Sequence, residues 1–287
     1  MPDAPSPSRK PRDDEIDVFA LTHPGKVRAG NEDHFLVCQL RKQIEVHLTS
    51  LSGLDALGPG GERLAFLAMV ADGVGGRGAG EAASRRTIEA VTRYVSESID
   101  AYYTADSTDH DAFTGALYAA ALRVHEELVE AGESDPSMKG MATTLTLWIG
   151  VWPHIYLLQV GDSRHYALRD GRLFQESRDQ TVGQALVDQG VLTDTQAHRL
   201  SMGSVLSSTL GGSESEPAVK RLDSGWGHVH MLCSDGLTKH VSDERIRDRL
   251  ASMTSARQAC EALLQDALDD GGSDNITIVI GRAVRKE

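Results

Sequence analysis

Apolar residues along this chain recur in two periods, and the alternation between them predicts its elements. Short runs such as Val18-Phe-Ala-Leu-Thr22 and His34-Phe-Leu-Val-Cys-Gln-Leu40 have strand length and composition and read as a pair of short strands. Ile88, Val91, Val95 and Ile99 keep a three-to-four spacing that predicts a helix from about Gly80 to Ile99. Phe113, Leu117, Ala120, Val124 and Leu128 do the same for a helix over about 111–131. The polar stretch Thr104–His110 is a linker between the two. Residues 142–176 read as a β-meander with a turn at Trp152-Pro153 and a hairpin turn at Asp170-Gly171. A polar, partly helical segment, 177–213, follows, with a capping box at Thr193-Asp-Thr-Gln196. Then come a strand at Val229–Cys233, a helix near Ala256–Leu268 with Cys260, Leu263, Leu264 and Ala267 inward, and a last strand at Ile276–Ile280. Residues 50–63 carry the Gly and Pro of a loop.

Strand runs alternate with helix pairs rather than with single helices. That order favours an α+β fold of antiparallel sheets covered by helices over a doubly wound parallel sheet. No boundary divides the chain after residue 15, so 16–287 reads as one domain. Residues 1–15, rich in proline and charge, read as a disordered leader.

Composition narrows the function. The chain has 287 residues, 40% of them hydrophobic and 25% charged, as in an ordinary globular protein. A net charge of −13 argues against a broad basic surface for nucleic acid. No apolar stretch approaches membrane-spanning length, and the N-terminus lacks a signal-peptide core. Three widely spaced cysteines, Cys38, Cys233 and Cys260, predict free thiols and a cytoplasmic location.

The chemistry is concentrated at strand ends. Asp72 closes Phe66-Leu-Ala-Met-Val-Ala-Asp72-Gly73, Asp162 closes Tyr156-Leu-Leu-Gln-Val-Gly-Asp162-Ser163, and Asp235 closes His230-Met-Leu-Cys-Ser-Asp235-Gly236. Asp274 opens Asp274-Asn-Ile-Thr-Ile-Val-Ile280. Antiparallel strands bring such ends to one edge. Carboxylates gathered there repel, so they imply bound cations, and all-oxygen ligation points to Mg²⁺ or Mn²⁺. Arg28-Ala-Gly-Asn-Glu32-Asp33 adds a phosphate-gripping guanidinium and two more acids.

Competing readings are weaker. Gly73, Gly75 and Gly78 form a GxGxxG, but a second helix follows the first where a dinucleotide site needs a strand. No C-x5-R loop, G-x-S-x-G elbow or HExxH helix is present.

Six motifs in order, Arg28-x-x-Asn-Glu-Asp33, Val70-Ala-Asp72-Gly73, Gly140-Met-Ala-Thr-Thr144, Gly161-Asp162-Ser-Arg164, Cys233-Ser-Asp235-Gly236 and Ser273-Asp274-Asn275, resemble the bacterial metal-dependent phosphatases of the protein phosphatase 2C family. The resemblance covers about residues 16–284. It implies a four-layer αββα sandwich with the metals in a cleft at one edge of the two sheets. It implies that Asp72 bridges two Mn²⁺ or Mg²⁺ ions, with the Gly73 carbonyl on the first, Asp235 and Asp274 on the second, and Glu32 and Asp33 close by through waters. Asp162, with Asp235, matches a third metal site, and Arg28 the phosphate anchor. The activity implied is hydrolysis of phosphoserine and phosphothreonine by a metal-bridging hydroxide, against a cognate Ser/Thr kinase and its targets. Residues 177–213 match the family's flap.

The chain departs from its relatives at Val74, where some members carry a histidine as general acid, so a metal-bound water is the first candidate for proton donor. Ala142 replaces a common glycine, and Ser201-Met-Gly-Ser204 a His-Pro-Arg stretch. Two alternative functions follow from the sequence: a pseudophosphatase that binds phosphoproteins without turnover, and a nucleotide-binding oxidoreductase built on Gly73–Gly78.

Overall fold

A computed structural model describes residues 9–41, 44–50, 63–75, 78–104, 110–200, 202–223 and 225–286. The loop expected at 50–63 and the linker expected at 104–110 lie largely outside them.

Two antiparallel sheets pack face to face between helical layers. The strands are β1 (Ile16–His23), β2 (Asp33–Leu40), β3 (Ile44–Thr49), β4 (Ala65–Val74), β5 (Ala142–Thr143), β6 (Leu145–Val151), β7 (His154–Val160), β8 (Arg164–Arg169), β9 (Arg172–Gln175), β10 (Ala218–Asp223), β11 (Val229–Cys233) and β12 (Ile276–Ala283). One sheet has the order β1-β12-β11-β8-β9; the other runs β10-β7-β6-β4-β2-β3, with β5 paired to β4. Helices α1 (Ala79–Thr104) and α2 (His110–Ser134) cover the larger sheet. The smaller sheet is covered by α6 (Asp243–Ala251) and α7 (Ala256–Asp269), which follow α3 (Val182–Asp188), α4 (Asp194–Arg199) and α5 (Asp235–Thr238) in the chain.

Burial follows the two-residue period of a strand. Along β4, Phe66, Ala68 and Val70 join the core between the sheets. Leu67, Met69 and Ala71 point the other way, into the core under α1 and α2. On β12, Ile276, Ile278 and Ile280 face α7, whereas Val279 faces the other sheet. Ile88, Val91 and Val95 are buried as their spacing predicts.

Three expectations need correction. β1 and β2 are not paired: β1 pairs with β12 and β2 with β3 and β4, so the two lie in different sheets. The supposed meander is two hairpins, β6–β7 in one sheet and β8–β9 in the other, with the chain crossing between them at residues 161–163. The first error has a physical cause. All eight residues of β2 are buried, and a strand covered on both faces carries no alternation to say which sheet it joins. Finally, residues 9–15 of the expected disordered leader are docked. Glu15 is buried and accepts from Arg9 and from the Arg12 amide at 2.8 Å, while Asp13 pairs with Arg63 at 2.8 Å. Residues 1–8 lie outside the described part.

Candidate metal centre

The sheet register itself assembles the site. Asp33, first residue of β2, is the cross-strand partner of Asp72 on β4, so two carboxylates meet across one ladder. Asp162 lies just past the end of β7. Asp235 opens α5 directly after β11, and Asp274 immediately precedes β12. All five acid groups therefore gather at the same end of the sandwich. Each of the other four raises the pKa of Asp72 through its charge.

Backbone hydrogen bonds hold Asp72 in place. The Thr144 hydroxyl accepts from its amide at 3.0 Å, and its carbonyl accepts from the Thr143 hydroxyl at 2.8 Å and the Thr144 amide at 2.9 Å. Thr144 Oγ1 also lies 2.8 Å from Ser163 Oγ, which ties Asp72 to the loop carrying Asp162. The threonine pair of the Gly140–Thr144 motif is thus a clamp. Gly73 is needed because a Cβ there would stand 2.3 Å from the Gly80 carbonyl oxygen and 2.7 Å from that of Glu32. Gly236 is still tighter: a Cβ would meet the Asn275 carbonyl oxygen at 1.9 Å.

Asp33 Oδ2 accepts from Ser234 and from Thr277, both at 2.7 Å. Its Oδ1 is buried and has no partner. Asn275 fixes the neighbouring loop: its Nδ2 donates to the carbonyls of Pro24 and Gly30, and its Oδ1 accepts from the Glu32 amide at 2.8 Å. The Glu32 carboxylate lies against Gly80 at the start of α1.

Charge explains the rest. Burial pushes Asp33 up to about 7, with the charges of Asp235 and Asp274 adding to it. Burial likewise raises Asp162 to about 7, aided by Asp235 and Asp179. Asp72 is raised by burial first and then by its acidic neighbours, and Asp235 by burial against the pull of Lys239. Glu32 is also raised by burial, with Arg28 opposing. Asp274 goes the other way. Burial works against its ionisation, but hydrogen bonds from Arg28 and Lys239 outweigh it and hold its pKa low.

Those two cations stand at the mouth. Arg28 grips Asp274 through Nε at 2.7 Å and Nη2 at 2.9 Å. Lys239 Nζ lies 2.6 Å from Asp235 and 2.8 Å from Asp274. The sequence reading missed Lys239. Its signal was present, since it follows Asp235 by four residues, one turn on. Arg164, the last residue of the Gly-Asp-Ser-Arg motif, is not at the mouth; it forks onto Asp179 with Nε at 2.9 Å and Nη2 at 2.6 Å, anchoring the start of the 177–213 segment.

The donor set fits divalent cations. It is carboxylates with the adjacent Gly73 carbonyl, all oxygen, and the buried Asp33 Oδ1 is left without a partner. Among the described residues no three acids, histidines or cysteines close on one point as they stand; Arg28 and Lys239 engage Asp274, and Lys239 also engages Asp235. Val74, where a proton donor was sought, is 38% exposed and apolar. The glycines at 73, 75 and 78 lead into α1, which is followed by α2, so the dinucleotide reading finds no βαβ unit.

Fold and site together define a two-sheet sandwich that gathers acids for divalent ions beside a guanidinium. The profile of the family described as Protein phosphatase 2C matches residues 54–270, and the chain belongs to that family. It is 37% identical over 224 residues to the serine/threonine protein phosphatase PstP of Mycobacterium tuberculosis, covering 77% of this chain but 41% of that protein. The chain thus spans about two fifths of the length of that relative. The serine/threonine phosphatase stp of Listeria welshimeri is 29% identical over 215 residues, covering 75% of this chain and 83% of that one. A crystal structure of the PstP catalytic domain in complex with two manganese ions superposes with TM-score 0.72 and 31% identity, covering 94% of this chain and 99% of that one.

Proposed function

We propose that this chain is a metal-dependent phosphoprotein phosphatase that hydrolyses phosphoserine and phosphothreonine. One observation carries the reading. Five acids, two buried and three half-buried, share one end of the sandwich, one with an orphaned oxygen, and an exposed arginine stands at their mouth. The relative solved with manganese supports Mn²⁺ or Mg²⁺ as the cofactor.

In this reading Asp72, the Gly73 carbonyl, Asp235 and Asp274 would hold two divalent ions. Glu32 and Asp33 complete the surroundings, and Asp162 with Asp235 offers a third position. Bound divalent ions supply Lewis-acid charge and acidify a water enough to act as nucleophile near neutral pH. The protein's own share is placement. Thr143 and Thr144 fix Asp72, and Ser234 and Thr277 aim Asp33. Arg28 can fork onto two phosphate oxygens once Asp274 is engaged elsewhere. Val74 supplies no proton for the leaving alkoxide.

The 177–213 segment, anchored by Arg164 and Asp179, is the part we assign to substrate choice. Phosphorylated proteins, with a cognate Ser/Thr kinase among them, are the partners, in a signalling role. Free, buried Cys38, Cys233 and Cys260 suit a reducing cytoplasm. No helix among the described residues is long and apolar enough to cross a membrane.

Hydrolysis of p-nitrophenyl phosphate by manganese-loaded protein tests the proposal. Turnover is expected. Tight phosphopeptide binding without turnover in folded, loaded protein would instead establish the pseudophosphatase.

A further inference from the structure

An apolar cavity lies away from the acids. It opens at the opposite end of the sandwich, between the sheets, with a volume of about 100 Å³. Its walls include Phe66 and Ala68 on β4, His230 and Leu232 on β11, and Val279 and Gly281 on β12. Phe66 is six residues from Asp72, roughly 20 Å along a strand. Small residues make the room. Where Ala68 and Gly281 stand, larger side chains would close the gap of about 10 Å between sheets.

The cavity has unmet hydrogen-bonding capacity. Trp148 Nε1, His154 Nδ1, His228 Nδ1 and His230 Nε2 are all buried without a partner, and all four residues line the space. An indole N–H only donates; each neutral imidazole offers one donor or one acceptor. Leaving such groups unmet costs about 1–3 kcal/mol each. The rings are arranged as walls. Trp148 lies 5.4 Å from His230 and 6.4 Å edge-on from Phe66, centroid to centroid.

The cationic rim is already engaged. Arg63 pairs with Asp13 and Arg282 with Asp17 at 3.0 Å, and Lys10 donates to the Arg63 carbonyl. Burial also lowers the pKa of His154, His228 and His230, which favours their neutral forms. Among the described residues no three of these histidines converge as metal ligands. The enclosed volume is smaller than the roughly 150 Å³ that suffices to hold benzene, so only one ring of a ligand enters and the rest stays in the opening.

We propose that this inter-sheet cavity is a binding site for a small, planar, uncharged heteroaromatic molecule that accepts from Trp148 Nε1 and donates to a ring nitrogen of one of His154, His228 and His230. The site is separate from the phosphatase centre and does not depend on that assignment.

Benzimidazole, which carries one ring donor and one ring acceptor, is the probe, with indene as its nitrogen-free match. The full chain has three tryptophans, so its ¹H–¹⁵N spectrum shows three indole signals, and the one lost in Trp148→Phe is that of Trp148. Benzimidazole should shift this signal saturably, with half-saturation below about 1 mM, and indene should bind roughly tenfold more weakly. Ala68→Leu, which fills the cavity from its wall, should abolish the shift. No saturable shift, equal binding of indene, or an undiminished shift in folded Ala68→Leu overturns the proposal. If that variant does not fold, calorimetry on Trp148→Phe decides: benzimidazole should lose most of its advantage over indene, and keeping all of it overturns the assignment.

Discussion

Arg28 and Asp274 form a forked ion pair, with guanidinium nitrogens at 2.7 and 2.9 Å from the two carboxylate oxygens. The pair joins the group we assign to phosphate to a group we assign to metal. The two assignments are compatible only if they are sequential. A divalent ion held by Asp274 would weaken its grip on the guanidinium and leave Arg28 free for the substrate.

Arg28→Ala should therefore act on substrate binding. KM for a phosphothreonine peptide should rise roughly tenfold, as for loss of a charge-assisted hydrogen bond, with a smaller change in kcat. Steady-state kinetics at saturating Mn²⁺ measure this. An unchanged KM would remove Arg28 from phosphate recognition.

Metal loading should release protons. Asp33 and Asp162 hold theirs to about 7 in the metal-free protein, and ligands must be deprotonated. Apparent Mn²⁺ affinity should climb as pH rises from about 6 to about 8. Calorimetry in two buffers of different ionisation enthalpy counts the protons; a buffer-independent heat at about pH 6 would speak against these acids as ligands.

His165 gives a second pH effect away from the metals. It is fully buried, and burial lowers its pKa to about 3. Its folded pKa is below the unfolded value, so the unfolded chain takes up the proton first, and stability falls as pH drops from about 6.5 toward about 3. At about pH 5 the loss from this group is about 2 kcal/mol. Asp33 and Asp162 work in the opposite sense, since their folded pKa values are raised. The readout is therefore the difference between wild type and His165→Leu in urea melts at two pH values. That difference should narrow toward acid pH; a constant gap contradicts it.

Gly236→Ala should damage the site through the backbone. The new Cβ would stand 1.9 Å from the Asn275 carbonyl oxygen, forcing Asp235 and Asp274 apart. A destabilisation of about 2 kcal/mol or more is expected, with weakened manganese binding. Thermal melts with and without Mn²⁺ test both parts.

Much of this was legible in the sequence, and for identifiable reasons. Asp72, Asp162, Asp235 and Asp274 sit where apolar runs begin or end, and local pattern marks such junctions well. The helix faces of α1 and α2 were legible because one side is wet. Partnership was not. β2 is buried throughout, so nothing local separated pairing with β1 from pairing with β4, and the crossing at residues 161–163 looked like another turn. The docking of Asp13 and Glu15 depends on Arg63 and Arg9, a long-range match that composition hides. Thr143, Thr144 and Asn275 entered as motif letters; only the fold shows them clamping Asp72 and the loop between Pro24 and Glu32.

The central claim is that the acids around Asp72 hold the ions that drive phosphate-ester hydrolysis. Its most direct test is release of phosphate from a phosphothreonine peptide by wild type and Asp72→Asn, each with Mn²⁺ and with EDTA. Wild type with Mn²⁺ should turn over, EDTA should abolish that activity, and Asp72→Asn should lose at least about 100-fold in kcat/KM. Turnover that survives EDTA, or that Asp72→Asn retains in full, would contradict the account.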